Sequence, residues 1–281
     1  MPFTLSHPAA VLPLLRRPFS AAALVAGALA PDMPYFARSV PVSVTAESWY
    51  EPYLNATTSH GPLGAVTVAL PYALALWGLS LVARRPVGAL LPPGTSPAPG
   101  PGGRGALLRR GGWVLLSLLI GIATHLVWDS FTHVDGYVVL HVPFLSTQLA
   151  GDLTWARALQ HVSTVGGLVV VAVYLWRRRA RQLPDRTTQR PTARDAGAHR
   201  TTRTAAWVAL CVVVAGAVAG TVELRGETDL SVRDTIETAL SSGVTGAGAA
   251  LITALCLYVA AFWAVRGVAA VRRTRAATRD R

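Results

Sequence analysis

Residues 113–133 read WVLLSLLIGIATHLVWDSFTH. The stretch 113–131 has two ionisable side chains, His125 and Asp129, in an otherwise apolar or small-residue run. It is close to the roughly 20 residues an α-helix needs to cross a hydrocarbon core of about 30 Å. Lipid cannot satisfy free backbone groups, so the run reads as a membrane helix. Four further runs support the same reading, at 62–83, 162–176, 205–222 and 246–265. The run at 162–176 is short and is expected to begin earlier.

The rest of the chain agrees with a membrane protein. Its 281 residues are 52% hydrophobic and 14% charged, yet carry a formal charge of +12. That balance excludes a disordered chain and a disulfide-stapled module, and argues against a nucleic-acid-binding domain. Cys211 and Cys256 lie in apolar runs as small hydrophobes, and no basic region precedes the first apolar run as in a secretory signal. There is no lysine, so arginine carries all the positive charge. Arg84 and Arg85 follow the first run, and Arg109 and Arg110 precede the second. Arg177 to Arg179 and Arg181 follow the third, Arg200 and Arg203 precede the fourth, and Arg266, Arg272, Arg273 and Arg275 follow the fifth. An excess of positive charge marks cytoplasmic loops. All five runs then agree on one orientation, in a multi-pass protein of the cell (plasma) membrane. Glu223, Glu227, Asp229, Asp234 and Glu237, against Arg225 and Arg233, fit an external loop.

The apolar segment 8–30 is interrupted by Arg16, Arg17 and Pro18. A charge at mid-membrane costs about 3 kcal/mol on insertion scales, and proline removes a helix donor. Two half-length helices, about 5–15 and 19–29, are therefore expected to meet at the arginines. The expected fold is an all-α polytopic membrane helix bundle with about five full spans plus this N-terminal pair. Three regions follow: a membrane helical domain at 1–180, a basic cytoplasmic linker at 181–204, and a two-helix membrane hairpin with a basic tail at 205–281. A second linker, Pro/Gly-rich, covers 92–105. Gly243, Gly246 and Gly248 suit close helix packing.

The histidines supply the chemistry. Under this topology His7, His60, His133 and His161 all fall at the outer face, with Asp32 at the end of the second half-helix. His125, Asp129 and His133 are spaced i, i+4, i+8, which makes one helical stripe with members about 6 Å apart along the axis. An aspartate at membrane depth is costly unless a cation or donor neutralises it. Two imidazoles and a carboxylate one turn apart suit a divalent metal, with the remaining ligands drawn from His7, Asp32, His60 and His161. Zinc is the first expectation for such a donor set, with manganese or iron as alternatives. His141 has no spacing argument. Asp135 and Asp152 read as solvated loop carboxylates, and Trp128 and Trp155 as interface anchors.

The segments Met1 to Pro8, Gly27 to Phe36, Thr58-Ser59-His60, Thr124 to His133 and Leu159-Gln160-His161 resemble an uncharacterised family of bacterial integral-membrane proteins, domain of unknown function 4184. More distantly, the order Thr-x-x-His, Pro-Asp, Ser-His and His-x3-Asp is similar to membrane-bound metal-dependent hydrolases and to zinc-dependent phospholipase C. That resemblance implies His7, Asp32, His60, His125 and Asp129 as metal ligands, with His133 and His161 added by the nearer pattern. The distant relatives commonly carry Pro-Asp-x-Asp, whereas position 34 here is proline.

The expected function is a membrane-embedded metal-dependent hydrolase. It would act on a lipid or lipid-linked ester or phosphodiester at the outer headgroup level, with Asp32 or His161 as general base. A metal transporter or sensor would use the same ligands but needs a polar path inward, and the inner halves of the runs contain almost no ionisable residues. A third reading is a structural membrane protein whose histidines form a hydrogen-bonded cluster.

Overall fold

The computed structural model describes residues 4–37, 43, 45, 47–90, 104–182, 193–222 and 232–279. The described chain is all-α apart from one two-stranded antiparallel hairpin, β1 (Gln148–Ala150) with β2 (Leu153–Thr154). Among the described residues, five helices are long and apolar enough to cross a membrane: Pro62–Leu90, Gly105–Thr132, Trp155–Arg181, Thr204–Thr221 and Thr238–Val271. They expose Leu108, Val169, Trp176, Trp207 and Leu257, each by more than half. Apolar surface on that scale is an aggregation liability in water, and lipid satisfies it.

The chain divides into two compact units. The first comprises Met1–Arg38, Val42–Ser80 and Ser96–Thr188. It opens with a 3-10 turn (Thr4–Ser6), α1 (Pro8–Val11) and a second 3-10 turn (Leu12–Leu14). The first half-length helix is therefore broken into three short pieces. Pro8 and Pro13 each lack the N–H that a continuous helix needs. The second half-length helix forms as α2 (Ala21–Leu29), with Ser20 as N-cap accepting from the Ala23 N–H. A 3-10 turn (Ala30–Asp32) leads to α3 (Met33–Ala37), followed by α4 (Glu51–Leu54) and α5 (Ala56–His60). The first span then runs through α6 (Pro62–Gly64), a π-helical stretch (Ala65–Ala69) and α7 (Leu70–Leu90), of which residues 70–80 belong to this unit. After it come α8 (Arg104–Thr132), α9 (Tyr137–His141), α10 (Pro143–Ser146), the hairpin, and α11 (Trp155–Gln182).

The core of this unit is built from small side chains: Ala23, Ala26, Ala30, Ala69 and Ala73 pack around Leu118 and Ile122. A Cβ on Gly27 would collide with the Leu118 carbonyl, and one on Gly121 with the Leu24 carbonyl. Two glycines thus let the α2 and α8 backbones touch, the small-residue mode of membrane helix packing. The Ser20 N–H also donates to the Ser117 hydroxyl at 3.0 Å.

The third span starts at Trp155 rather than 162, because the Thr154 side chain accepts from the Arg157 N–H and caps the helix there.

The second unit comprises Ser39–Pro41, Leu81–Thr95 and Gln189–Arg281. It holds α12 (Ala193–Val222) and α13 (Val232–Arg279). Here Gly246 meets the backbone of Gly216 and Gly220, as its small-residue pattern suggests. Within the same unit Tyr258 donates to the Pro86 carbonyl at 2.9 Å and Trp263 to the Val82 carbonyl at 3.2 Å. Both long helices reach into the expected linker, α11 to Gln182 and α12 from Ala193. Most of the Pro/Gly-rich linker, and Glu223, Arg225, Glu227 and Asp229 of the acidic loop, lie outside the described residues.

Candidate metal centre

His125 and Asp129 lie on α8, seven and three residues before the end of the span at Thr132, or about 10 Å and 5 Å along the axis. The cluster therefore sits near one end of the span, opposite Arg109 and Arg110. His7 precedes α1, Asp32 ends the 3-10 turn after α2, and His60 ends α5. These three segments bring their side chains to the α8 stripe. Asp32, His125 and Asp129 are buried, and His60 is half-buried.

Backbone carbonyls fix the orientation of both central imidazoles. His125 Nδ1 lies 2.7 Å from the Ala28 carbonyl, and His60 Nδ1 2.7 Å from the Ala56 carbonyl. A carbonyl only accepts, so each Nδ1 carries the proton and each Nε2 presents a lone pair. Those lone pairs face carboxylates. His125 Nε2 is 3.2 Å from Asp129 Oδ2 and 3.5 Å from Asp32 Oδ1. His60 Nε2 is 3.2 Å from Asp129 Oδ2 and 3.6 Å from Asp32 Oδ1.

Four acceptors pointing at one another require positive charge between them, from added protons or from one divalent cation. The spacing suits the cation. Charge-assisted N–H···O bonds run about 2.7–2.9 Å, shorter than all four separations. Ligands about 2.1 Å from a tetrahedral ion stand about 3.4 Å apart, which the values of 3.2 to 3.6 Å match. All four ligand atoms lie within 4.8 Å of one another. His125 Nε2 and both Asp129 oxygens are also buried without a hydrogen-bond partner, as are Asp32 Oδ2 and His7 Nε2. Buried polar atoms are almost always partnered, so this concentration of bare acceptors fits a cation site.

A surrounding set supports the four. His7 stacks on His125 with ring centroids 3.7 Å apart, and its Nε2 lies 3.5 Å from Asp129 Oδ1. Burial is the largest cause pushing the His7 imidazole down to about 4, so the ring is neutral at pH 7. The Ser59 hydroxyl is 2.6 Å from the Pro31 carbonyl and 2.8 Å from the Ala56 carbonyl. That contact joins the segments carrying Asp32 and His60. Asn55 caps α5 by accepting from the Thr57 N–H, and Tyr72 on α7 donates to the Tyr53 carbonyl.

His133 borders the cluster, its Nδ1 3.7 Å from Asp129 Oδ1. Its side chain and that of His60 are about a quarter exposed, 25% and 23%, against 7% or less for the others. The site therefore opens between these two rings.

Six of the seven residues expected as ligands, His7, Asp32, His60, His125, Asp129 and His133, come together here. The seventh, His161, does not. It is exposed on α11, and among the described residues it makes no ion pair or hydrogen bond with the cluster. Because the Thr154 cap starts α11 at Trp155, His161 lies nearly two turns inside the helix rather than at its head. His141 is exposed at the end of α9, stacked on Tyr137 with its Nδ1 2.7 Å from the Tyr137 carbonyl. Sequence reasoning missed Ser59 as the tie between two ligand-bearing segments. The Ser-His pair was visible, but its partner carbonyl lies 28 positions away.

A model of the family described as a domain of unknown function, DUF4184, matches residues 1–260, the whole cluster included. Comparison with the curated proteins and with the solved structures finds no match.

Proposed function

The chain belongs to the DUF4184 family, and we propose that its buried His/Asp cluster is the divalent-metal centre of a membrane-embedded hydrolase. The observation that carries the metal reading is the convergence of His60, His125, Asp32 and Asp129 within 4.8 Å of one another, with His125 Nε2 and both Asp129 oxygens buried and bare. Two imidazoles and two carboxylates favour zinc, with manganese or iron as alternatives.

The depth of the site points to the substrate class. The cluster lies within about 10 Å of the end of a span, and the arginine pattern supports reading that end as the outer one. A lipid or lipid-linked substrate reaches that level with its ester or phosphodiester. A divalent cation bound here supplies Lewis-acid polarisation of a phosphoryl or carbonyl oxygen and acidifies water. The chain's own groups do the rest. Asp32 faces the two imidazoles through Oδ1 and keeps Oδ2 free, so Oδ2 is the group that takes a proton as general base. His161, exposed on α11, makes no ion pair or hydrogen bond with the cluster among the described residues. His60 and His133 border the opening through which substrate enters.

With purified protein in mixed micelles of detergent and phospholipid, hydrolysis is expected to stop on treatment with a strong chelator and to return with added zinc. Radiolabelled zinc uptake into proteoliposomes is expected to stay at background. Hydrolysis indifferent to chelation, or zinc transport without hydrolysis, would overturn the reading.

A further inference from the structure

Arg16, Arg17 and Pro18 form the turn of an N-terminal hairpin whose register along α8 is fixed by three contacts. Phe19 meets Trp113 edge-on with ring centroids 5.6 Å apart, the Ser20 N–H donates to the Ser117 hydroxyl, and the Ala28 carbonyl accepts from His125 Nδ1. Thus α2 runs parallel to α8, from the level of Trp113 to that of His125. The preceding arm lies along α2, with Val11 packed in one cluster with Leu24 and Ala28. It begins at His7, which stacks on His125. Both arms therefore open at the His/Asp cluster, and the turn lies at the far end, about 18 Å away along α8.

That far end is level with a membrane boundary. Trp113 stands 19 residues from Thr132, where the span ends, a rise of about 29 Å against about 30 Å for a hydrocarbon core. An indole at that depth is an interface anchor. Arg109 and Arg110 precede Trp113 by four and three residues, which puts them on the same face of α8, one turn beyond the boundary. Arg16 and Arg17 precede Phe19 by three and two residues, and the Phe19 N–H closes the turn on the Arg16 carbonyl at 3.0 Å. Four arginines thus gather at one level on one side of the helix. All four are exposed, and among the described residues none pairs with a carboxylate.

We propose that the hairpin tip is an anionic-phospholipid site: Arg16 and Arg17, with Arg109 and Arg110 beside them, hold headgroup phosphate in the leaflet opposite the cluster. Charge and level argue for that occupant. Unpaired guanidinium groups call for anions, and the anions at the edge of a hydrocarbon core are lipid phosphates. Guanidinium binds phosphate through two parallel N–H···O bonds, and basic groups clustered at the end of a span attract anionic lipid. These arginines are also placed by a packed hairpin rather than carried on a loose loop, so their common level is a property of the fold. Such a site stands whether or not the cluster holds metal.

The test uses the full protein in a mild detergent, with phosphatidylglycerol carrying a fluorophore on one acyl chain as the probe. Unlabelled phosphatidylglycerol is expected to displace it at least tenfold more effectively than phosphatidylcholine, and inorganic phosphate to leave it bound. Arg16→Gln with Arg17→Gln is expected to weaken probe binding at least tenfold. Arg272→Gln with Arg273→Gln removes the same charge from the second unit and is expected to bind like wild type. Should the tip variant fail to fold, Arg109→Gln with Arg110→Gln repeats the test from α8. Equal displacement by the two lipids would overturn the inference, as would equal weakening in the tip and second-unit variants. Displacement by inorganic phosphate as effective as by phosphatidylglycerol would make this a free-anion site and overturn the lipid assignment.

Discussion

Asp129→Asn is expected to abolish stoichiometric metal binding and with it any protection that added zinc gives against thermal unfolding. Asp129 is the hub of the cluster. Its Oδ2 lies 3.2 Å from both His60 Nε2 and His125 Nε2, while its Oδ1 lies 3.5 Å from His7 Nε2 and 3.7 Å from His133 Nδ1. The substitution preserves shape and removes the charge, and it puts a neutral amide group where anionic oxygens meet the imidazole lone pairs. Losing a group that merely orients a ligand costs about 10- to 100-fold in metal affinity, and losing the shared carboxylate is expected to cost more. The stability effect follows by mass action. A metal at about 1,000 times its Kd stabilises the native state by about 4 kcal/mol, and the variant forfeits that increment. Metal content after dialysis and melting temperatures with and without zinc measure both effects. Zinc-dependent melting retained in Asp129→Asn would contradict the assignment.

The second large effect concerns Gly121, which touches no ligand. Gly121→Val is expected to destabilise the first unit and to lose metal as well. A Cβ at this position meets the Leu24 carbonyl and the Gly27 Cα, which are backbone and cannot swing aside. Overpacking costs about 1–3 kcal/mol where side chains can adjust, so a backbone clash belongs at the upper end or beyond. The crossing also positions the site, because the Ala28 carbonyl that fixes His125 lies on α2 next to Gly27. Separating the two helices breaks that hydrogen bond and turns the imidazole loose. Gly112→Val on the same helix is the control, since a Cβ there has nothing within 4 Å, and it is expected to melt like wild type. Equal melting temperatures and metal content for the two variants would contradict the role of the crossing.

Much of this molecule was legible in its sequence because membrane insertion imposes simple rules. Five long apolar runs had to be helices, and all five are. The His125 and Asp129 stripe needed only the helical period. The convergence of His7, Asp32 and His60 needed one step more, the topology implied by the arginines. What could not be read depends on contacts between segments distant in sequence. Gly27 and Gly121 are two glycines in two apolar runs until the helices cross at them. The start of α11, by contrast, turned on a local contact, the Thr154 cap, seven residues before the apolar run at 162–176. The break in the first half-helix is written in Pro8 and Pro13, local signals inside a run that reads as apolar throughout.

The most direct measurement is the metal content of the purified wild-type protein, reconstituted with zinc and freed of excess, together with its X-ray absorption spectrum. One tightly held ion per chain, in a shell of nitrogen and oxygen ligands at about 2.0–2.1 Å, is the predicted result. Protein that is folded yet holds no stoichiometric metal would contradict the account and leave the four groups joined by protons alone.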